Sequence, residues 1–406
     1  GSSKVVVIMN LAVVLLVWLG IALAEERVRY DGYKVYQVIA TTVDEAETLN
    51  KLKDNAFFDF WAAPRALNLP VTVMVSPSAQ ASFESDLKAK STNYSVLIND
   101  VENSIQEEVL RQRASPRVAR GAVSFTHYMR YYEMTDYLQS LVQAHPRIAS
   151  LVNLGKSFEG RDILGVRISS GGSGKTTIFI DAGIHAREWI APPVALYIIH
   201  QLVENPENAA LYRDIDWVQR LWRKIRSPNT LCYGVDPNRN FDYYWMLTGA
   251  SDNQCSEIFA GPRPFSEPET SALRDYLLAH HNEVKLYLTF HSYGQFLLYP
   301  WGYSSDLPHD NDELYALGAL VDDAISSVAG TRYIIGSSTN VLYAAAGGSD
   351  DYVKGLVGVD LSYTIELPGG GLTGFNPAAT RILPIVQETW EGIKAYHQYI
   401  ENKFVH

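Results

Sequence analysis

From Tyr33 to Ile98 the apolar positions change period several times, and each change marks an element. Tyr33-Lys-Val-Tyr-Gln-Val-Ile-Ala40 alternates at every second residue and predicts a strand. Asp44–Asp54, with acids early and Leu49 and Leu52 three apart, predicts a helix. Phe57–Trp61 and Val71–Val75 predict two further strands, separated by Pro64 and Pro70. Ser78–Lys88 predicts a second helix and Tyr94–Ile98 a last strand. The order strand, helix, strand, strand, helix, strand describes a ferredoxin-like α+β unit. The unit contains no histidine and no cysteine, so the sequence assigns it no chemistry.

A polar, acid-rich helix is predicted over Val101–Leu110. It is followed by Arg111-Gln-Arg113-Ala-Ser-Pro-Arg117-Val-Ala-Arg120-Gly121, whose arginines, proline and small residues read as an exposed linker. A trypsin-like protease would cut such a linker, as expected between the two parts of a zymogen. A larger domain begins near Phe125. It alternates helices (Met134–Ala144, a run opening at Pro192-Pro193, Glu267–His280, Leu314–Val328, Ile385–Ile400) with strands (Ile163–Ile168, Thr177–Ile180, Val284–Phe290, Leu361–Ile365). That pattern predicts an α/β domain whose mixed sheet is covered on both faces.

Composition adds limits. At 406 residues the chain has room for about two domains. Its net charge of −11 argues against general nucleic-acid binding, which needs a basic face. Lys4 precedes a run from Val5 to Ala24, broken only by Asn10, that ends Ala22-Leu-Ala24 before Glu25-Glu26-Arg27. This predicts a secretory signal peptide over residues 1–24 rather than a membrane anchor, and hence a secreted, extracellular protein. The activation segment would then span 25–120 and the catalytic domain 121–406. Secretion favours a bridge between the two cysteines, Cys232 and Cys255.

Two common catalytic patterns fail. Ser169-Ser-Gly-Gly-Ser-Gly174-Lys175-Thr176 resembles a phosphate loop but lacks the first glycine, and a strand rather than a helix follows it. No G-x-S-x-G elbow occurs. Chemistry gathers instead where strands end. Asp181-Ala-Gly-Ile-His185-Ala-Arg187-Glu188-Trp189 leaves one predicted strand with a histidine and a carboxylate three residues apart. Phe290 leads to His291-Ser-Tyr293, and Ile365 leads to Glu366. Of ten histidines, only His185 and His291 closely follow apolar strands. Two His and one Glu leave zinc an open position for water or substrate, and Glu366 is then the candidate general base.

Taken together, His185-Ala-Arg-Glu188-Trp, His291-Ser-Tyr293, Trp222-Arg223-Lys-x-Arg226-Ser, Asp236-Pro-Asn238-Arg239-Asn240 and Thr364-Ile-Glu366-Leu resemble the zinc carboxypeptidases of the pancreatic A/B type. The resemblance runs the whole chain. It implies a zinc carboxypeptidase fold with a mixed eight-stranded sheet, preceded by the ferredoxin-like activation domain. It further implies a zymogen, expected as a monomer, that removes single residues from peptide C-termini with one Zn2+. By the same resemblance His185, Glu188 and His291 hold zinc and Glu366 is the base. Arg223 polarises the scissile carbonyl, Asn238, Arg239 and Tyr343 clamp the terminal carboxylate, Arg187 and Tyr293 contact substrate, and Cys232 pairs with Cys255. Asp350, in Gly347-Gly-Ser-Asp350-Asp351-Tyr352, falls at the bottom of the specificity pocket, with Gly302 and Thr364 along its walls. An aspartate there implies a preference for C-terminal Lys or Arg; a preference for apolar ends stays open. With both ligand types and the base in place, a non-catalytic binding protein is the remote alternative.

Two departures from the family pattern stand out. Between Asp216-Trp217 and Trp222 a longer stretch, a strand leading to an N-P-D-G turn, is missing, which puts one strand of the sheet and the placement of Arg223 at stake. Between Asp351 and Glu366 the chain is one residue longer, and Tyr352 replaces a tryptophan.

Overall fold

The computed structural model describes residues 29–53, 55–172, 174–213, 215–221, 227–230, 232–370 and 374–405. The predicted signal peptide and Arg223 lie outside the described residues.

The N-terminal unit runs β1 (Lys34–Ile39), α1 (Val43–Lys51), β2 (Phe58–Ala62), β3 (Pro70–Val75), α2 (Pro77–Ala89) and β4 (Asn93–Ile98). Its antiparallel sheet has the order β2-β3-β1-β4. Thr42 starts α1 by accepting the Glu45 backbone N–H at 3.3 Å, while the Glu45 carboxylate accepts the Thr42 N–H at 3.2 Å. Alternate strand residues serve opposite faces. Tyr36, Val38, Val73 and Val75 pack on Leu49, Phe83 and Leu87 of the two helices, whereas Val35 and Met74 pack on Val101 and Ile105. Those last two belong to α3 (Val101–Ala114), which is longer than its sequence pattern suggested. Arg111 and Arg113 therefore sit in the last helical turn, not in the linker, where their charge complements the helix dipole.

The larger domain has eight strands in the order β11-β10-β12-β9-β7-β8-β6-β5. They are β5 (Ala149–Lys156), β6 (Asp162–Ile168), β7 (Thr176–Ala182), β8 (Ile215–Leu221), β9 (Val284–Ser292), β10 (Phe296–Tyr299), β11 (Ile334–Ser337) and β12 (Leu361–Leu367). Helices α4 (Tyr131–Ala144), α5 (Ala191–Glu204), α6 (Pro268–Ala279), α7 (Asn311–Ala329) and α8 (Ile382–Phe404) cover both faces. In β7, Ile178 and Ile180 join the core made with α5, α7 and α8. Phe179 between them points the other way, into a core with Tyr287 and with Leu273 and Leu277 of α6. The strand at stake in the sequence is present: β8 pairs in parallel with β7 and antiparallel with β6, so the sheet is continuous.

The glycine-rich stretch before β7 opens no helix, in keeping with its rejection as a phosphate loop. Cys232 and Cys255 are bonded, with Cα atoms 5.1 Å apart. Among the described residues no helix is long and apolar enough to cross a membrane.

Candidate active site

Parallel strands β7, β9 and β12 end at one edge of the domain, and each delivers a charged or metal-binding side chain there. β9 runs on through His291, and β12 runs on through Glu366. The parallel register of these two strands sets Glu366 opposite His291. The loop after β7 carries His185 and Glu188, and its exit is held where Trp189 N–H donates to the Phe375 carbonyl at 3.2 Å. Proline at the second and third positions of α5 then starts the helix that fixes the loop's far end.

The three expected ligands converge. His185 Nδ1 lies 2.8 Å from Glu188 Oε1, His291 Nδ1 lies 3.0 Å from Glu188 Oε2, and the two Nδ1 atoms are 3.2 Å apart. One donor atom from each residue falls within 4.8 Å of the others. On the far side of the first imidazole, Nε2 is 3.0 Å from Asp236 Oδ1, which turns Nδ1 toward the cluster. Two imidazole nitrogens and a carboxylate, with Glu188 and His291 buried and His185 partly exposed, suit zinc and leave a coordination position open. The electrostatics agree. Burial alone would push His185 down, but the Glu188 and Asp236 carboxylates bring it up to about 10. Glu188, against its burial, is pulled down to about 2 by His185 and His291. Burial and then the Glu188 charge push Glu366 up to about 7. The imidazole protons balance the carboxylate charge here, and a divalent cation would take their place. Asp236 had no role in the sequence reading. Its signal was available, because a metal-binding imidazole needs a second partner and Asp236 opens the quoted Asp-Pro-Asn-Arg motif.

A second group gathers around Arg239, which is 5 % exposed. Its Nε donates to the Gly249 carbonyl at 2.7 Å and its Nη1 to the Asn238 carbonyl at 2.9 Å, and it hydrogen-bonds the Tyr343 side chain. Gly249 has φ +60° and presses against the next segment so closely that a Cβ there would lie 1.9 Å from the Ala344 carbonyl oxygen. Only glycine fits. Asn238 Oδ1 accepts the Ser349 N–H at 2.9 Å, which ties the expected carboxylate clamp to the turn carrying Asp350.

The two adjacent aspartates of that turn have different surroundings. Asp351 is fully buried and accepts backbone N–H groups from Gly302 at 2.9 Å and Tyr303 at 3.0 Å. Burial, and then the neighbouring Asp350, push its carboxyl well above the usual carboxylate range. Asp350 is 6 % exposed, with Oδ2 3.5 Å from Ser338 Oγ. Its carbonyl accepts Ser362 Oγ at 3.0 Å. Ser362, Thr364 and Glu366 are alternate residues of β12 and so share one face of that strand.

The N-terminal unit, to which the sequence assigns no chemistry, nonetheless reaches the site. Arg187 Nη1 donates to Asp59 of β2, at 3.1 Å from Oδ2 and 3.3 Å from Oδ1. Trp61 Nε1 holds the same carboxylate at 2.8 Å. The Arg187 guanidinium lies 4.5 Å over the Phe375 ring, and Trp61 meets that ring edge-on at 6.0 Å. The Tyr293 side chain hydrogen-bonds Thr72 of β3. Two residues expected to meet substrate are thus engaged by the N-terminal unit.

A His–Glu–His cluster at the strand ends of a mixed α/β sheet, with a ferredoxin-like unit in contact beside it, defines a metal-dependent enzyme joined to a second domain. Comparison with known proteins narrows this. The zinc carboxypeptidase family profile matches residues 134–219 and 218–392, and the carboxypeptidase activation peptide profile matches residues 36–108. The chain is 44 % identical over 305 residues to carboxypeptidase B of Astacus astacus, covering 70 % of this chain and 100 % of that protein. It is 35 % identical over 420 residues to carboxypeptidase A1 of Bos taurus, covering 96 % of this chain and 98 % of that one. The crystal structure of the carboxypeptidase A from Helicoverpa armigera superposes with a TM-score of 0.86 at 32 % identity, over 93 % of this chain and 99 % of that one.

The chain belongs to the zinc carboxypeptidase family. It is a zinc-dependent carboxypeptidase made as a zymogen with an activation peptide. The two family matches meet at residues 218 and 219, inside β8, where the sequence lacks the family's longer stretch.

Proposed function

We propose that this enzyme removes C-terminal Lys or Arg from peptides, and that it is secreted, with residues 25–120 as the activation segment and 121–406 as the catalytic domain. The observation that supports the basic preference is Asp350. It is nearly buried, and among the described residues no Lys or Arg forms an ion pair with it. Arg239 bonds Gly249, Asn238, Asp236 and Tyr343 instead, and Asp350 acts on it only through its charge. A buried carboxylate without an ion pair is costly, and a substrate guanidinium or ammonium would offset that cost.

In this reading His185, Glu188 and His291 hold zinc, which when bound lowers the pKa of water and polarises a carbonyl. Asn238, Arg239 and Tyr343 hold the substrate's terminal carboxylate, which restricts cutting to free C-termini. Tyr293 and Arg187 contact substrate once the N-terminal unit has left, and Gly302 and Thr364 line the side-chain pocket. Arg223 steadies the oxygen that gains charge. Glu366 takes a proton from the attacking water and passes it to the peptide nitrogen. The C–N bond breaks, leaving a new carboxylate on the peptide and a free amino acid.

The test is hydrolysis of peptides ending in Arg and in Leu after trypsin treatment. A paired against an unpaired buried charge supports a preference on the order of 10²-fold for Arg. Asp350→Ala should erase it while zinc content stays the same. A wild type that prefers Leu refutes the pocket assignment and returns the apolar-end preference.

A further inference from the structure

Asparagine followed two residues later by serine or threonine occurs once in the chain, at Asn93-Tyr94-Ser95, and the carboxypeptidase reading gives this triplet no role. In a secreted chain such a triplet accepts an N-linked oligosaccharide when its amide lies at the surface. The other asparagines lack the hydroxyl residue that the transfer needs. Whether the triplet can carry a sugar then depends on where the fold puts the Asn93 amide.

Asn93 is the first residue of β4 and follows a tight turn out of α2. Ser91 adopts φ +55° there, and the Thr92 N–H donates to the Leu87 carbonyl at 2.9 Å, which reverses the chain. Side chains then alternate along β4. Tyr94 and Val96 pack on the core beneath the two helices, with the Tyr94 ring 6.1 Å from that of Tyr36. Asn93, Ser95 and Leu97 are exposed. The asparagine amide and the serine hydroxyl two residues on thus stand together on one face in solvent. Among the described residues neither side chain makes a hydrogen bond.

β4 is also an edge strand. In the order β2-β3-β1-β4 it pairs with β1 alone among the described strands. Asn93 lies opposite Ile39 and Ser95 opposite Gln37, which in turn lies opposite Thr72 of β3. Opposed residues share a face, so Asn93 and Ser95 are on the same side of the sheet as Thr72, whose side chain meets Tyr293 of the catalytic domain. Two strand spacings, about 10 Å, separate Ser95 from that contact. Asn93 therefore stands at the rim of the interface, where a sugar displaces no packed side chain and breaks no strand pairing.

We propose that Asn93 carries an N-linked oligosaccharide, so that the sugar marks the zymogen and leaves with the activation segment. The transfer joins Asn93 Nδ2 to C1 of a sugar held on a lipid diphosphate. The C1–O bond to the diphosphate breaks, the diphosphate departs with the electron pair, and the amide loses one proton. The assignment rests on the secreted reading. The full chain would be expressed in eukaryotic cells behind its own first residues and, in parallel, behind a host secretory leader. The exported zymogen would be weighed before and after treatment with an N-glycosidase. One glycosidase-sensitive glycan per chain is expected, absent from Asn93→Gln and from Ser95→Ala. After trypsin it should be found on the N-terminal fragment, with the catalytic fragment unmodified. Both variants replace surface side chains and should fold and be activated like wild type. An exported zymogen whose mass the glycosidase leaves unchanged overturns the proposal, as does a glycan that persists in Asn93→Gln or lies on the catalytic fragment. A chain that only the host leader exports, glycosylated at Asn93, would remove the secretion reading and leave the site standing.

Discussion

Replacing Asp59 with asparagine keeps the side chain's size and removes the charge that faces Arg187. The Asp59 side chain is 10 % exposed and that of Arg187 is 42 % exposed, so the pair sits between a surface ion pair and a buried one. Surface pairs contribute roughly 0–1 kcal/mol and hydrogen bonds to charged groups about 1.5–3 kcal/mol. Half exposure puts this contact near 1.5 kcal/mol by the same scale. Asparagine can still accept from Trp61 Nε1, so the loss is confined to the Arg187 contact. Since about 1.4 kcal/mol is tenfold in an equilibrium constant, the fraction of uncut zymogen with its cover lifted should rise about tenfold. The assay is hydrolysis of a short peptide by uncut zymogen in the presence of a serine-protease inhibitor, scaled to the activity after trypsin. An uncut activity within about twofold of wild type would show that the Asp59–Arg187 contact does not hold the cover down.

The metal centre makes a further prediction. In the metal-free protein His185 keeps its proton up to about 10 rather than the ordinary 6.5. A raised pKa of this kind stabilises the metal-free fold fully below 6.5, and that stabilisation is lost as pH rises toward 10. Zinc requires the neutral imidazole, so zinc affinity should climb across the same window by up to about tenfold per pH unit, read by competition with a chelator. A flat profile would contradict the assignment of His185 Nδ1 as a ligand. Asp236→Asn should weaken zinc binding about 10–100-fold by loosening the imidazole's orientation, and unchanged affinity would refute that role.

Much of this was legible in the sequence because strand and helix periods are strong where one face is buried. The order of the ferredoxin-like unit follows from such periods, and so does the placing of His185, His291 and Glu366 at strand ends. Three strands escaped. β10 is four consecutive buried residues, Phe296-Leu-Leu-Tyr299, too short to show any period. β11 is equally short, and β5 carries its apolar residues irregularly around Gly155. β8 forms despite the shorter spacing before Trp222 because a strand needs only partners on each side, which β7 and β6 supply. The end of α3 was misplaced because arginines read as linker residues while also suiting a helix C-terminus. Contacts between distant segments carry no local signal at all. Nothing near Asp59 announces Arg187, 128 residues away. The burial of the Asp351 carboxylate likewise emerges only when Gly302 and Tyr303 are brought beside the turn.

The division of labour between Glu366 and the metal ligands is tested most directly by one variant measured two ways. Glu366→Gln would be activated with trypsin and assayed on the same sample for zinc content and for turnover of an Arg-ended peptide. The expected result is one zinc per chain with turnover lower by about 10²–10⁴-fold, the usual contribution of a positioned proton acceptor. Near-normal turnover, or loss of zinc along with activity, would contradict the assignment of Glu366 as the base beside a site made by His185, Glu188 and His291.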